Sequence, residues 1–311
     1  MIQNNMKFFE ISTKNNNAKI VDAHIHVWIE IIQSADNIIS DMDNYDFIKN
    51  ELIRFKIYGG RCLVDCTPYG CGRDGNILKK LCMETGVNII AVTGFHKREY
   101  YDTKTSVWSF DTKEAEDFFV DEINNCLEEC MESGCNIKAG VIKIAFNGEL
   151  EGQYLNLTNA AINASKKTNT QILIHTNQGL NVEYLAGFLE DNGINPKKVM
   201  LNHMDKRNDV GLHIELANRG YYLEYDTFLR PKYNPEKNLW PLIGKMVEAG
   251  FEDSIIVGSD IYGLEMWRTV SQNGGLSNFF NSIIFKLKEL KISEIAIDKI
   301  IGGNAGKFLN L

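Results

Sequence analysis

Short, continuously apolar runs recur along the chain, each followed by a turn and then an amphipathic stretch. The runs are Lys19–Val27, Arg61–Thr67, Asn88–Phe95, Gly140–Phe146, Gln171–Thr176, Lys198–Met204, Tyr221–Asp226 and Ser254–Asp260. Continuous rather than alternating apolar character suits strands buried on both faces, as in a parallel sheet. Between them, Asn44–Tyr58, Gly75–Thr85, Glu114–Ser133, Thr158–Lys167, Val182–Asn192, Val210–Asn218 and Trp240–Ala249 carry apolar residues at three- and four-residue spacing. That spacing predicts helices with one buried face. Several are followed by glycine, as at Gly86 and Gly220, which suits a helix C-cap. A further helix is expected over Leu276–Leu290, and a terminal helical segment from Ser293.

Strand and helix units repeated eight times predict an α/β fold, the (β/α)8 or TIM barrel. A doubly wound open sheet is the alternative. Polar residues at the C-terminal ends of the first, fourth, fifth, sixth and eighth runs favour the barrel, whose chemistry gathers at that face. No Pro- or Gly-rich linker divides the chain, so one domain over residues 1–311 is expected, with a polar N-terminal extension over 1–17.

At 311 residues and 44% hydrophobic, the chain can bury a large core. A net charge of −8 without a basic block argues against nucleic acid or anionic membranes as partners. No apolar run reaches the roughly 20 residues needed to span a bilayer. The Asn-rich N-terminus lacks a signal-type apolar core, so a cytoplasmic location is expected. Seven cysteines cannot all pair within the chain, and reduced thiols are expected. Cys126 and Cys130, four apart, are placed on one helix face, as packing residues rather than metal ligands.

His24 and His26 carry the first chemical signal. Two residues apart on a strand, they share a face and can grip one metal ion. His175 and His203 each end a later apolar run, and Asp260 ends Ile-Ile-Val-Gly-Ser-Asp. Taken alone, each of these is as well read as a hydrogen-bonded core histidine or a turn-forming aspartate. Lys143 lies inside Val-Ile-Lys-Ile-Ala, where an ammonium is costly unless paired or neutralised. It is either a snorkelling or ion-paired lysine, or one whose amine has reacted with carbon dioxide to give a carbamate able to bridge two cations. Four of the six histidines, a lysine and an aspartate at strand ends of one barrel suit a pair of divalent metals of the zinc class.

The same residues carry a resemblance to the phosphotriesterase family of the amidohydrolase superfamily. His24-Ile-His26 closes the first strand, Val-Ile-Lys143-Ile-Ala the fourth, single histidines the fifth and sixth, and Gly-Ser-Asp260 the eighth. Val64–Asp74, ending in Gly-Arg-Asp, is similar to the family's second-strand signature, and Asn304-Ala-Gly-Lys-Phe-Leu309 to its C-terminal Asn-Pro-x-x-Phe-Leu without the proline. The likeness covers nearly the whole chain. It implies that His24, His26 and Asp260 hold the more buried metal and His175 and His203 the more exposed one. N6-carboxylated Lys143 and a hydroxide would bridge them, and Asp260 would move the proton. Zn2+ is the expected metal, with Mn2+ or Co2+ as alternatives. The implied activity is a metal-dependent hydrolase acting on ester bonds. Arg73 and Asp74 are read as structural, an ion pair or a helix cap.

Substrate contacts are expected from the loops after the third, seventh and eighth strands. Arg230, Lys232 and Arg268 are positive groups suited to a phosphate or carboxylate, and Tyr100, Tyr262 and Trp267 suit a pocket wall or loop packing. Lys97, Arg98 and Lys206 are weaker candidates. His96 and His213 fall outside the ligand pattern. The leading expectation is a lactonase opening a sugar lactone, phosphorylated in one version. An organophosphate or carboxylic ester hydrolase, a mononuclear deaminase and a ligand-sensing barrel without turnover are the alternatives. Expected partners are a small-molecule ester or lactone, with a homodimer left open.

Overall fold

The computed structural model describes residues 20–30, 42–101, 106–133 and 136–311. The extension over 1–17, Lys19 at the start of the first apolar run and Cys135 lie outside the described residues. Eight parallel strands pair in sequence order: β1 (Ile20–Ile25), β2 (Gly60–Asp65), β3 (Asn88–Gly94), β4 (Val141–Phe146), β5 (Ile172–Thr176), β6 (Val199–Asn202), β7 (Tyr222–Tyr225) and β8 (Ile255–Val257). Asp260 N–H donates to His24 O and His26 N–H to Ile261 O, both at 2.8 Å, joining the chain beyond β8 to β1. The architecture is the (β/α)8 barrel that the apolar runs predict.

The helices are α1 (Met42–Ile57), α2 (Gly75–Thr85), α3 (Thr112–Asn124), α4 (Gly152–Thr168), α5 (Val182–Asp191), α6 (Val210–Arg219), α7 (Leu239–Glu248), α8 (Leu264–Gln272), α9 (Gly275–Glu289), α10 (Glu294–Asp298) and α11 (Asn304–Leu309). One apolar layer lies between strands and helices. A second fills the barrel interior with Val21, Ala23, Val64, Val92, Leu173, Met200 and Ile256, closed by Phe308 of α11. Among the described residues, no helix is long and apolar enough to cross a membrane.

Three features depart from the sequence pattern. The helix expected over Glu114–Ser133 ends at Asn124, so Cys126 and Cys130 do not share a helix face. The break has an electrostatic cause. Arg73, fully buried, takes Glu122 from α3 and Glu129 from the turn beyond it, and a continuous helix could not deliver both. The segment after β8, expected to be a loop, contains α8, whose Trp267 and Val270 are buried. Helix α4 begins at Gly152, six residues before the expected start at Thr158. Asp74 caps α2, accepting from the N–H groups of Asn76 and Ile77.

Candidate metal and substrate site

The interior residues form a barrel floor, and the strand ends above it carry the chemistry. In β1 the inward positions would be Val21, Ala23 and Ile25 by simple alternation. The register slips between Asp22 and Ile25, where four residues of β1 lie against the three from Leu63 to Asp65 of β2. This added residue reverses the alternation, so His24 and His26 turn inward above Ala23. On β4 and β5, Val141 and Leu173 lie in the interior layer, and Lys143 and His175 follow two residues on. His203 differs. Asn202 already takes the inward position of β6, and His203 reaches the cavity because its φ of 64° turns the chain. Asp260 does the same with a φ of 46°.

These turns bring His24, His26, His175, His203 and Asp260 onto one cavity of about 260 Å³, which Thr67, His96, Tyr100, Lys206, Arg230 and Tyr262 also line. His24 Nε2 lies 3.5 Å from Asp260 Oδ1. His24, His26 and Asp260 each offer a ligand atom within 4.8 Å of the others. His203 Nε2 and His175 Nδ1 face each other at 2.7 Å. Burial first, with nearby positive charge second, holds His24 and His26 well below the ordinary histidine range. Burial also acts first on His175 and His203. All four rings are therefore neutral near pH 7 and able to present nitrogen lone pairs.

Their remaining ring nitrogens are held from behind. Thr67 Oγ1 lies 2.8 Å from His26 Nδ1, and the Asn202 amide 2.7 Å from His24 Nδ1. Asp226 accepts from His203 Nδ1, which leaves Nε2 bare toward the cavity. Glu224 accepts from His203 N–H at 3.0 Å and lies 3.5 Å from His24 Nδ1. Burial, then Asp226 and Asp205, pushes its carboxyl well above the ordinary range. Glu224 and Asp226 had not been singled out from the sequence. They sit two apart at the end of an apolar run, the same signal that marked His24 and His26.

Lys143 is fully buried, and its Nζ has no hydrogen-bond partner among the described residues. A buried polar atom left without a partner is costly. An uncharged amine converted to a carbamate, with cations to hold its oxygens, resolves that imbalance, so the donor set fits a two-metal group.

Of the expected substrate contacts, Arg230 and Tyr262 reach the cavity wall, and the Arg230 guanidinium lies 5.1 Å from the Tyr262 ring. Arg230 Nη2 donates to Asp260 O at 2.7 Å and also holds Asp260 Oδ2. Lys232 and Arg268 are not on the wall. Lys232 is exposed over the Tyr233 ring, and Arg268 sits on the outer face of α8 beside Glu265. Lys206 takes a place instead, 3.3 Å from Asp226 and 3.8 Å from Asp260. Trp267 packs in the core rather than in the cavity.

The chain matches the profile of the phosphotriesterase family over residues 10–309. It is 31% identical to the N-acetyltaurine hydrolase of Bos taurus over 277 residues, 84% of this chain and 76% of that one. Its fold is similar to that of a lactonase from Listeria monocytogenes, with a TM-score of 0.84 and 22% identity, covering 94% of this chain and 95% of the other. An amidohydrolase from Mycoplasma synoviae superposes with a TM-score of 0.80 at 26% identity, covering 94% of this chain and 88% of that one. Barrel order, strand-end donors and profile agree: the chain belongs to the phosphotriesterase family of binuclear metal-dependent hydrolases.

Proposed function

We propose that the protein is a lactonase that opens a small sugar lactone carrying a phosphate. The observation that carries this reading is the pairing, in one cavity of about 260 Å³, of the strand-end donor set with the cations Lys206 and Arg230. Such a site suits a substrate with a carbonyl at one end and an anion at the other. A phosphotriester would call for a larger, mainly apolar pocket, so the organophosphate reading is not favoured.

In this reading His24, His26, His175, His203, Asp260 and a carboxylated Lys143 would together hold a pair of divalent ions. When bound, such a pair lowers the pKa of water toward neutrality and polarises a carbonyl. The protein's own groups do the rest. Asp226 and Asn202 fix the rings of His203 and His24. Asp260 is pushed up to about 6, by burial first and Asp226 second, against the lowering effect of Arg230 and Lys206. A carboxylate in that range can accept a proton as the carbonyl is attacked and return it to the leaving alkoxide. Arg230 holds Asp260 Oδ2, which orients Oδ1 toward the donor set.

The test is Arg230→Met assayed on a γ-lactone with and without its phosphate. Charged hydrogen bonds contribute about 1.5–3 kcal/mol, so KM for the phosphorylated substrate should rise by about 10- to 100-fold. Because Arg230 also holds Asp260, kcat should fall on both substrates, but KM for the neutral lactone should change by less than about threefold, and equal rises in KM on both would refute phosphate recognition. A second reading, an amidase of N-acyl aminosulfonates, is favoured by the bovine relative, since the same cations suit a sulfonate. N-acetyltaurine belongs in the same panel, and turnover of it ahead of every lactone would put the amidase reading first.

A further inference from the structure

Six histidines divide into three groups. Four form the strand-end donor set. His213 is fully buried with both ring nitrogens engaged, Nδ1 with Tyr225 Oη at 2.8 Å and Nε2 with Arg207 O at 2.9 Å. His96, on the loop after β3, fits neither group. Its ring lies on the cavity wall, with its centroid 4.9 Å from that of His175, 4.6 Å from Tyr100 and 6.3 Å from His26, nearly parallel to the last.

The backbone fixes how this ring is presented. Lys97 N–H donates to His96 Nδ1 at 2.8 Å, so the neutral ring must carry its proton on Nε2. His96 N–H donates to the buried Tyr101 hydroxyl at 2.9 Å, which holds the loop. One step earlier, Phe95 N–H donates to Lys143 O at 3.0 Å, tying the same loop to the strand of the buried lysine. Among the described residues Nε2 has no hydrogen-bond partner, although the residue is only 7% exposed. A structural histidine at that depth would have used both nitrogens, as His213 does.

We propose that His96 is a further catalytic residue, whose Nε2–H donates a hydrogen bond to the substrate oxygen that gains negative charge as the carbonyl is attacked. The inference rests on the hydrolase reading of the same site. It involves no proton transfer at His96: the N–H bond stays intact, and the hydrogen bond strengthens as charge develops on the oxygen. The fixed tautomer also separates this role from metal ligation, which would require a bare Nε2.

Nitrogen-15 NMR of histidine-labelled, chelator-treated protein reads the tautomer directly, and His96 should show protonated Nε2 and bare Nδ1. In the metal-loaded enzyme, His96→Phe should lower kcat by about 10²-fold, the effect of removing one oxyanion donor, with KM changed by less than about threefold. Metal content should stay at the wild-type level. His96→Gln, which keeps an N–H at similar reach, should recover much of the loss. A protonated Nδ1, an unchanged kcat in His96→Phe, or a metal ion lost together with activity would each overturn the proposal. If the wild-type enzyme hydrolyses N-acetyltaurine and no lactone, the lactone reading falls, and the same variants assayed on the amide decide His96 separately.

Discussion

Removing Arg73 should unfold the barrel more effectively than removing any exposed charge. Its Nε and Nη2 each lie 2.7 Å from Glu129, Nη1 donates to Val92 O at 2.6 Å, and the same guanidinium pairs with fully buried Glu122. Arg73→Met preserves much of the side-chain volume and leaves two carboxylates without their cation. Breaking a buried pair in this way costs about 3–5 kcal/mol, and the orphaned Val92 carbonyl adds about 1 kcal/mol. The expected loss is therefore about 4–6 kcal/mol, out of the roughly 5–15 kcal/mol that stabilises a typical domain. The assay is urea denaturation of chelator-treated protein, so that metal binding does not add to stability. Arg73→Met/Glu122→Gln/Glu129→Gln should recover at least half of the loss. A deficit under about 1 kcal/mol, or a triple variant no more stable than Arg73→Met, would refute this reasoning.

Two further perturbations test other parts of the molecule. Gly94 has a φ of 100°, and a Cβ there would lie 2.0 Å from Lys143 O, so Gly94→Ala should lose about 3 kcal/mol or more by urea denaturation; a loss under about 1 kcal/mol would contradict the close approach of β3 to β4. His213 is lowered to about 4, by burial first, from an ordinary 6.5. A depressed histidine contributes stability that is present above pH 6.5 and lost as the pH falls toward 4, here about 3 kcal/mol. In His213→Gln the decline in stability between those pH values should be shallower by about that amount, and equal slopes in the two proteins would contradict the assignment.

The fold was legible because every strand is buried on both faces, so each apolar run stands out against its amphipathic neighbours. Strand ends were less so. The eighth run reads through to Asp260, but pairing with β7 stops at Val257, and the sixth reads to Met204 but stops at Asn202. In both, a positive φ lifts the site residue out of the strand geometry, and no residue pattern announces that turn. The same limit applied to β1, where alternation alone does not show that Ala23 and His24 both face inward. Glu224 and Asp226 were readable by the two-residue spacing and were passed over. Lys232 and Arg268 show the opposite failure. Position after the right strand does not fix direction: a short surface turn carries Lys232 away from the cavity, and the outer face of α8 carries Arg268 away. Helix α8 was hidden because its apolar stripe is narrow, carried by Trp267 and Val270 between polar residues.

The central claim is that Lys143, a buried amine without a hydrogen-bond partner among the described residues, joins two metal ions as a carbamate. Elemental analysis of protein prepared without chelator and reconstituted with zinc and bicarbonate tests it most directly, with Lys143→Met in parallel. The account predicts about two divalent ions per wild-type chain and fewer than about one in the variant, with hydrolysis following the metal content. A wild-type chain that takes up no metal, or a Lys143→Met chain that still holds two, would contradict it.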